Sequence, residues 1–360
     1  MKKKLLPALI VTGLIILVVI IMGITALINK YTPTKKTEDL KEYFNISSDD
    51  EAALIVDNEL SDYKAKIIDK KIYVDYKFVH DSLNSRFYWD ANENVLLYTT
   101  ASDIISAAAD SNSYSVTKQT NDFGYPIVKA TSDSALIALD YVKQYSNITF
   151  KSYDDPARIV ITSKWDEIDS ATVSKSTQIR VKGGIKSPIL KEVKKDDKIT
   201  ILDSGDKWDK VATEDGVIGY IKRKALSESK KTKLTNPDYE EETFTHIKKD
   251  KDICLAWNQV TSQSANSKVP QVISSTKGIN VMSPTWFYLN DNNGNLADIA
   301  SKDYVSYCHS QGIEVWGLFS NFENTDVDAA YVLTHTSTRT TLINQIMSAA
   351  FNYELDGVNI

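Results

Sequence analysis

From Leu5 to Ile28 the chain runs for 24 residues without a charge. As a helix this run would be about 36 Å long, enough to cross a hydrocarbon core of about 30 Å with some tilt. A cleaved signal peptide is the competing reading. Its apolar region should span roughly 7–15 residues and end in small residues, and the best local candidate, Ile24-Thr25-Ala26, is poor. An uncleaved transmembrane anchor is therefore expected over residues 1–30. Lys2, Lys3 and Lys4 would keep the short end in the cytoplasm, although Lys30, Lys35 and Lys36 on the other flank weaken that vote. The bulk of the chain is then expected outside the plasma membrane.

With 360 residues, 42% apolar and 25% charged, the chain can build two or three domains, and wholesale disorder is excluded. Lys+Arg 42 against Asp+Glu 48 gives −6, which argues against a nucleic-acid partner, because such a partner requires a basic face. Cys254, Cys308 and four scattered histidines (His80, His246, His309, His335) cannot assemble a cysteine-rich zinc site or a disulfide framework. No metal or cofactor is expected, and chemistry must come from carboxylates, amides and aromatics. The two cysteines read as free buried thiols, a disulfide between them being the minority reading because nothing in the sequence brings their Cα atoms within reach.

Residues 31–50 are polar and carry Pro33, so they read as a stalk with at most a short helix around Glu38 to Tyr43. Beyond them lies a repeat. Lys71-Ile-Tyr-Val-Asp-Tyr-Lys-Phe-Val-His-Asp-Ser-Leu-Asn superposes on Ser134-Ala-Leu-Ile-Ala-Leu-Asp-Tyr-Val-Lys-Gln-Tyr-Ser-Asn at an offset of 63, which also carries Phe87 onto Phe150 and Leu96-Leu97-Tyr98-Thr99 onto Ile159-Val160-Ile161-Thr162. Each copy predicts strand, short helix, strand, turn, strand. The copies, with Phe87-Tyr-Trp-Asp-Ala-Asn-Glu-Asn-Val-Leu-Leu-Tyr, resemble the copper-amine-oxidase N-terminal-like domain, here an α+β domain over 51–165. Despite that name, His80 is the only histidine before residue 246, and a copper site needs more than one strong nitrogen or sulfur ligand.

Over 171–227 turn signals recur at Gly183-Gly184, Asp196-Asp197, Ser204-Gly205-Asp206 and Glu214-Asp215-Gly216, predicting five short strands in a small β-barrel. Ile179-Arg-Val-Lys-Gly-Gly, Lys198-Ile-Thr-Ile-Leu, Trp208-Asp-Lys-Val and Gly219-Tyr-Ile resemble a bacterial SH3-like domain. The resemblance implies wall binding, with Trp208 and Tyr220 as groove candidates. An aromatic in so small a barrel is often core instead.

After a polar linker (228–252), Ile253-Cys-Leu-Ala-Trp, Ile279-Asn-Val-Met-Ser, Val315-Trp-Gly-Leu-Phe and Leu355-Asp-Gly-Val-Asn-Ile read as strands buried on both faces of a parallel sheet. One intervening helix opens at Ser301 and stops at Gly312. Another places Leu342, Ile343, Ile346, Met347, Ala350 and Phe351 along one face. This is parallel α/β architecture, barrel or open sheet.

Leu355-Asp-Gly-Val-Asn-Ile resembles the start of the strand-four signature of glycoside hydrolase family 18, Asp-Gly-x-(Asp/Asn)-x-Asp-x-Glu. Leu255-Ala-Trp-Asn-Gln-Val-Thr-Ser, Ser283-Pro-Thr-Trp-Phe and Val315-Trp-Gly-Leu-Phe-Ser-Asn resemble strands one to three of its spore-wall and germination N-acetylglucosaminidase branch. The resemblance implies a (β/α)8 TIM barrel of which 253–360 supplies the first half, in a fragment of a longer enzyme. It also implies substrate-assisted retaining hydrolysis, in which the substrate's N-acetyl oxygen attacks and a Glu protonates the leaving oxygen. The signature's Asp-x-Glu lies beyond Ile360. By strand parity Asn359 faces inward as a support, while Asp356 serves the strand start. Trp257, Trp286 and Asn321 are the expected substrate contacts at the loop-facing strand ends. Glu314 and Glu354 are expected at the opposite mouth, with Glu323 in a loop. Cell-wall polysaccharide is the expected partner, peptidoglycan before chitin. The alternative is a non-catalytic wall-binding protein or an inactive fragment.

Overall fold

The computed structural model describes residues 2–360, with side chains from Ile10 onward. The side chains of Lys2, Lys3 and Lys4 lie outside that range. A helix spans Lys2–Tyr31, and its segment Ile10–Tyr31 is long and apolar enough to cross a membrane or act as a signal sequence. The chain divides into two compact units, one of the residues up to 85 with 136–241 and one of 86–135 with 242–360.

In the first unit a mixed sheet runs in the order Thr149–Tyr153, Arg158–Thr162, Glu51–Val56, Glu59–Ile68, Lys71–Asp75, Ala135–Ala138. Its first hairpin turns at Asp57-Asn58 and its second at Asp69-Lys70, all four residues at positive φ. Two-residue turns of this hand match the twist of the flanking strands. The repeat is present as local structure: Lys71–Asp75, helical turns over 76–83, Phe87–Asp90 and Val95–Thr99 in one copy, Ala135–Ala138, Leu139–Gln144, Thr149–Tyr153 and Arg158–Thr162 in the other. The two copies do not fold as one domain. Copy two's hairpin joins the mixed sheet by parallel pairing of Arg158–Ile161 with Ala53–Val56, whereas copy one's hairpin belongs to the second unit.

The expected small barrel is not closed. Its five strands, Thr177–Arg180, Ile189–Val193, Lys198–Asp203, Trp208–Thr213 and Ile218–Lys222, are present, but with Glu167–Thr172 and Lys230–Lys233 they form an open antiparallel sheet. Closure is unnecessary because the core face is covered from outside. Phe44, Ala53 and Ile55 pack with Ile179, Val211, Val217 and Ile221 in one cluster. Residues 31–50 are likewise no free stalk. Asp39 caps the short helix Leu40–Tyr43, Tyr43 Oη donates to the Ile218 carbonyl at 2.6 Å, and Phe44 is buried. Leu40, Tyr43, Phe44 and Ile46 supply an apolar stripe that outweighs the polarity of the segment.

In the second unit, four parallel strands lie in sequence order: β1 (Leu255–Asn258), β2 (Val281–Leu289), β3 (Glu314–Ser320) and β4 (Gly357–Asn359). Between them run α1 (Lys302–Ser310), capped by Ser301, and α2 (Thr336–Tyr353). Gly312, at φ 70°, lets the chain leave α1 and turn into β3. The helices cover one face of the sheet, where Met282, Trp286, Tyr304, Cys308, Val315 and Ala349 form the core. The opposite face is only partly buried, short of what the apolar runs imply: Val281 and Ser283 are covered, whereas Trp316, Leu318 and Asn359 are half-buried and Trp257 is exposed. The apolar stripe on α2 also splits: Leu342, Ile346 and Ala349 are buried, whereas Ile343, Met347 and Phe351, about 100° further round, are exposed.

Copy one's hairpin opens a five-stranded antiparallel sheet, Phe87–Asp90 to Gln119–Asp122. Its turn caps α2 from outside the helix. Asp90 accepts from the Thr336 amide (2.6 Å) and hydroxyl (2.5 Å), and Glu93 accepts from the Ser337 amide at 2.9 Å. Burial disfavours the charge on Asp90, but these bonds outweigh it and hold the carboxyl below its usual range. His335, the residue preceding α2, offers no side-chain cap. Asp90→Ala is therefore expected to cost about 1–2 kcal/mol, the upper range for a lost cap, and to raise amide exchange selectively over Thr336–Arg339. Unchanged exchange there would show that the contact holds nothing.

Candidate active site

The open face of the parallel sheet is set by alternation. Register pairs Trp257 with Ser283 and Trp316 with Gly357, so these residues, with Leu318 and Asn359, share the side away from the helices. Asn359 Nδ2 donates to Ser283 Oγ at 3.1 Å across two strands. Gly357 lies close under the Trp316 ring: a Cβ there would sit 3.0 Å from it, and the ring would have to give by a few tenths of an ångström. Glu314 opens β3 on the same face. Bonds from Lys249 (2.7 Å) and the Trp316 indole (3.1 Å) hold its carboxyl below the usual range, which suits an anion and not a proton donor.

Asp356 sits on the other side. Its carboxylate accepts from the Val315 amide at 2.8 Å and lies 2.8 Å from His309 Nε2, while its own amide donates to the Val315 carbonyl at 3.0 Å. It pins the start of β4 to β3. Glu354 is the left-handed C-cap of α2, and Glu323 is exposed and bonded to Ser320 Oγ.

At the loop end of the strands, Trp257 is 71% exposed and Asn321 is exposed as well. Trp286 is not with them. It is fully buried, its indole N–H donates to Asn266 Oδ1 at 2.8 Å, and its ring meets Tyr304 edge-on at 4.9 Å. Parity explains the correction: residue 286 lies four positions from Met282 and so faces the helices. Sequence reasoning missed Phe322, 81% exposed just after β3 beside Asn321. An aromatic directly following a strand's polar end was the available signal. Cys308 is buried and its thiol is pushed up to about 12 by that burial, whereas Cys254, expected buried, is exposed, since β1 begins one residue later.

In the first unit Trp208 and Tyr220 lie on the outer face of their sheet. Gly183 approaches both, and Lys222 Nζ sits 5.7 Å from the Trp208 ring centre. Among the described residues no group of three His, Cys, Asp or Glu side chains converges to hold a metal.

No protein-family profile matches the sequence, and no curated protein matches it. Among solved structures, the C-terminal domain of a protein described as a chitinase from Desulfitobacterium hafniense DCB-2 aligns at 22% identity, covering 29% of this chain and 32% of that one, with a TM-score of 0.26. A chitinase from Chromobacterium violaceum ATCC 12472 aligns at 14% identity over 29% and 33%, TM-score 0.24. NlpC1 from Trichomonas vaginalis aligns at 15% identity over 39% and 44%, TM-score 0.16. The chain thus spans about a third of each chitinase structure, and likeness at this level leaves the functional reading to the chain's own residues.

Proposed function

We propose that this chain is part of a membrane-anchored glycosidase of the family 18 type, acting outside the cell on N-acetylglucosamine-containing wall polysaccharide, peptidoglycan before chitin. In this reading 253–360 are the first four strands of a (β/α)8 barrel and 171–227 an SH3-like wall-binding module. The supporting observation is Asn359: within Asp-Gly-Val-Asn, on the fourth parallel strand, it faces the open side and bonds to Ser283 of β2. Trp257, Phe322 and Asn321 line the rim, where an exposed ring suits the apolar C–H face of a sugar. Asn359 is a support and Asp356 a strand anchor. Among the described residues, no carboxylate of this face is free to protonate a leaving oxygen.

The test is titration of the full-length chain in detergent with an N-acetylglucosamine hexamer, read by tryptophan fluorescence. Saturable binding, lost in Trp257→Ala and retained in Trp208→Ala, is the expected result. Binding indifferent to Trp257 would refute the placement of the sugar site.

A second reading, a non-catalytic wall-binding protein, is favoured by the Trp208, Tyr220 and Lys222 surface beside Gly183. Hexamer binding that depends on Trp208 and not on Trp257 would support it.

A further inference from the structure

The first unit contains a cleft of about 600 Å³ between its two sheets, within the usual size of a ligand site. One wall is a face of the hairpin 149–162, carrying the cross-strand pairs Thr149 with Thr162 and Lys151 with Val160. The other is the antiparallel sheet, along the strands that pair Thr172 with Lys198 and Ser170 with Thr200. Lys151 bridges to Glu214 at 2.5 Å and Arg158 to Asp215 at 2.5 Å, so ion pairs hold the walls at their spacing.

We infer that this cleft binds an acidic saccharide chain, at a site separate from the glycosidase face. Three properties point there. Hydroxyls of Thr149, Thr162 and Thr200, which have no side-chain partner among the described residues, alternate with the apolar surface of Val160 and Ile168. A pyranose presents the same alternation of hydroxyl edge and C–H face. The amines of Lys198 and Lys230 form no ion pair within 4 Å among the described residues, although the charge of Lys198 is felt at Glu214; Glu214 itself is bridged by Lys151, and Glu228 is the other carboxylate of the lining. An excess of amine in a chain of net charge −6 selects for acidic groups.

A peptide is the poorer fit. The interior strands Glu167–Thr172 and Arg158–Thr162 are paired on both sides, so strand addition is open only at the edge strands Thr149–Tyr153 and Lys230–Lys233. The hydroxyls and amines of the lining offer the saccharide more than those two edges offer a peptide.

The test is calorimetric titration of the full-length chain in detergent with a hyaluronan octasaccharide, which carries a carboxylate on alternate sugars. Binding is expected, weakening at least ~10-fold in Lys198→Glu/Lys230→Glu and on raising salt. The milder Lys198→Gln/Lys230→Gln should weaken it in the same direction, and Trp257→Ala should leave it unchanged. No binding at millimolar probe, affinity unchanged in both lysine double variants, or equal loss in Trp257→Ala would overturn the inference. So would full displacement by an acidic peptide of matched charge. Because Trp257 reports the hexamer site and Lys198 with Lys230 the cleft, either reading can fail alone.

Discussion

The purified 360-residue chain is expected to leave an N-acetylglucosamine hexamer intact. Substrate-assisted hydrolysis needs a carboxylic acid at the leaving oxygen, a contribution of typically 10²–10⁴-fold, and a second carboxylate to hold the acetamide in attacking geometry. Among the described residues, the open face offers neither. Glu314 is held ionised by Lys249 and Trp316 at the start of β3, Asp356 points to the helix side and serves the Val315 amide, and Glu354 caps α2. Under the proposed reading, turnover is expected of a barrel whose fourth strand carries the Asp-x-Glu pair. Hydrolysis by the purified chain, abolished by Glu323→Gln, would show that the exposed loop carboxylate is the acid.

Asp215→Ala is expected to destabilise the first unit by about 3–5 kcal/mol, the usual cost of stripping one partner from a buried ion pair. Arg158 is 5% exposed, and its Nη2 reaches Asp215 Oδ2 at 2.5 Å; Lys191 reaches the same oxygen at 2.6 Å. The Arg158 guanidinium also donates to the carbonyls of Asp154, Pro156 and Asp215, which soften the loss without replacing the charge. Arg158→Met/Asp215→Leu should cost less than Asp215→Ala alone, because no unpaired charge remains. The pair also sets a pH dependence. Burial raises the Asp215 carboxyl, but hydrogen bonds from Lys191 and Thr213 and the charges of Lys191 and Arg158 outweigh it, leaving it below its ordinary value. A depressed folded-state value stabilises above the unfolded value of about 4 and is lost as pH falls through the folded one. The stability gap between the parent chain and Asp215→Asn should therefore be constant near neutrality and shrink below about pH 4 in calorimetric melts. A gap that persists at pH 2, or a loss under 1 kcal/mol in Asp215→Ala, would remove the ion pair from the account.

Periodicity made the elements legible. The offset of 63 predicted the same strand, helix, strand, strand series twice, and each is present. Ser301 and Gly312 bracket α1 because a side-chain acceptor and a left-handed glycine act within one turn of the chain. Parity placed Asn359 and Asp356 on opposite sides of β4, and the same rule applied from Met282 would have buried Trp286. Its type, a tryptophan near a strand end, points to the rim, whereas its alternation, the stronger signal, points to the core.

What the amino-acid sequence determined by itself is whatever acts over a few residues: the apolar helix, the repeated strand and turn pattern, the caps, and the face each side chain of a strand must take. Tertiary structure decided which faces meet. Only there does copy one's hairpin leave its twin to cap α2 through Asp90, Phe44 cover a sheet that would otherwise need to close, and Arg158 find Asp215 57 residues away. These choices turn on the burial of apolar area and the desolvation of charge, quantities that belong to a packed surface and leave no periodic trace in the chain.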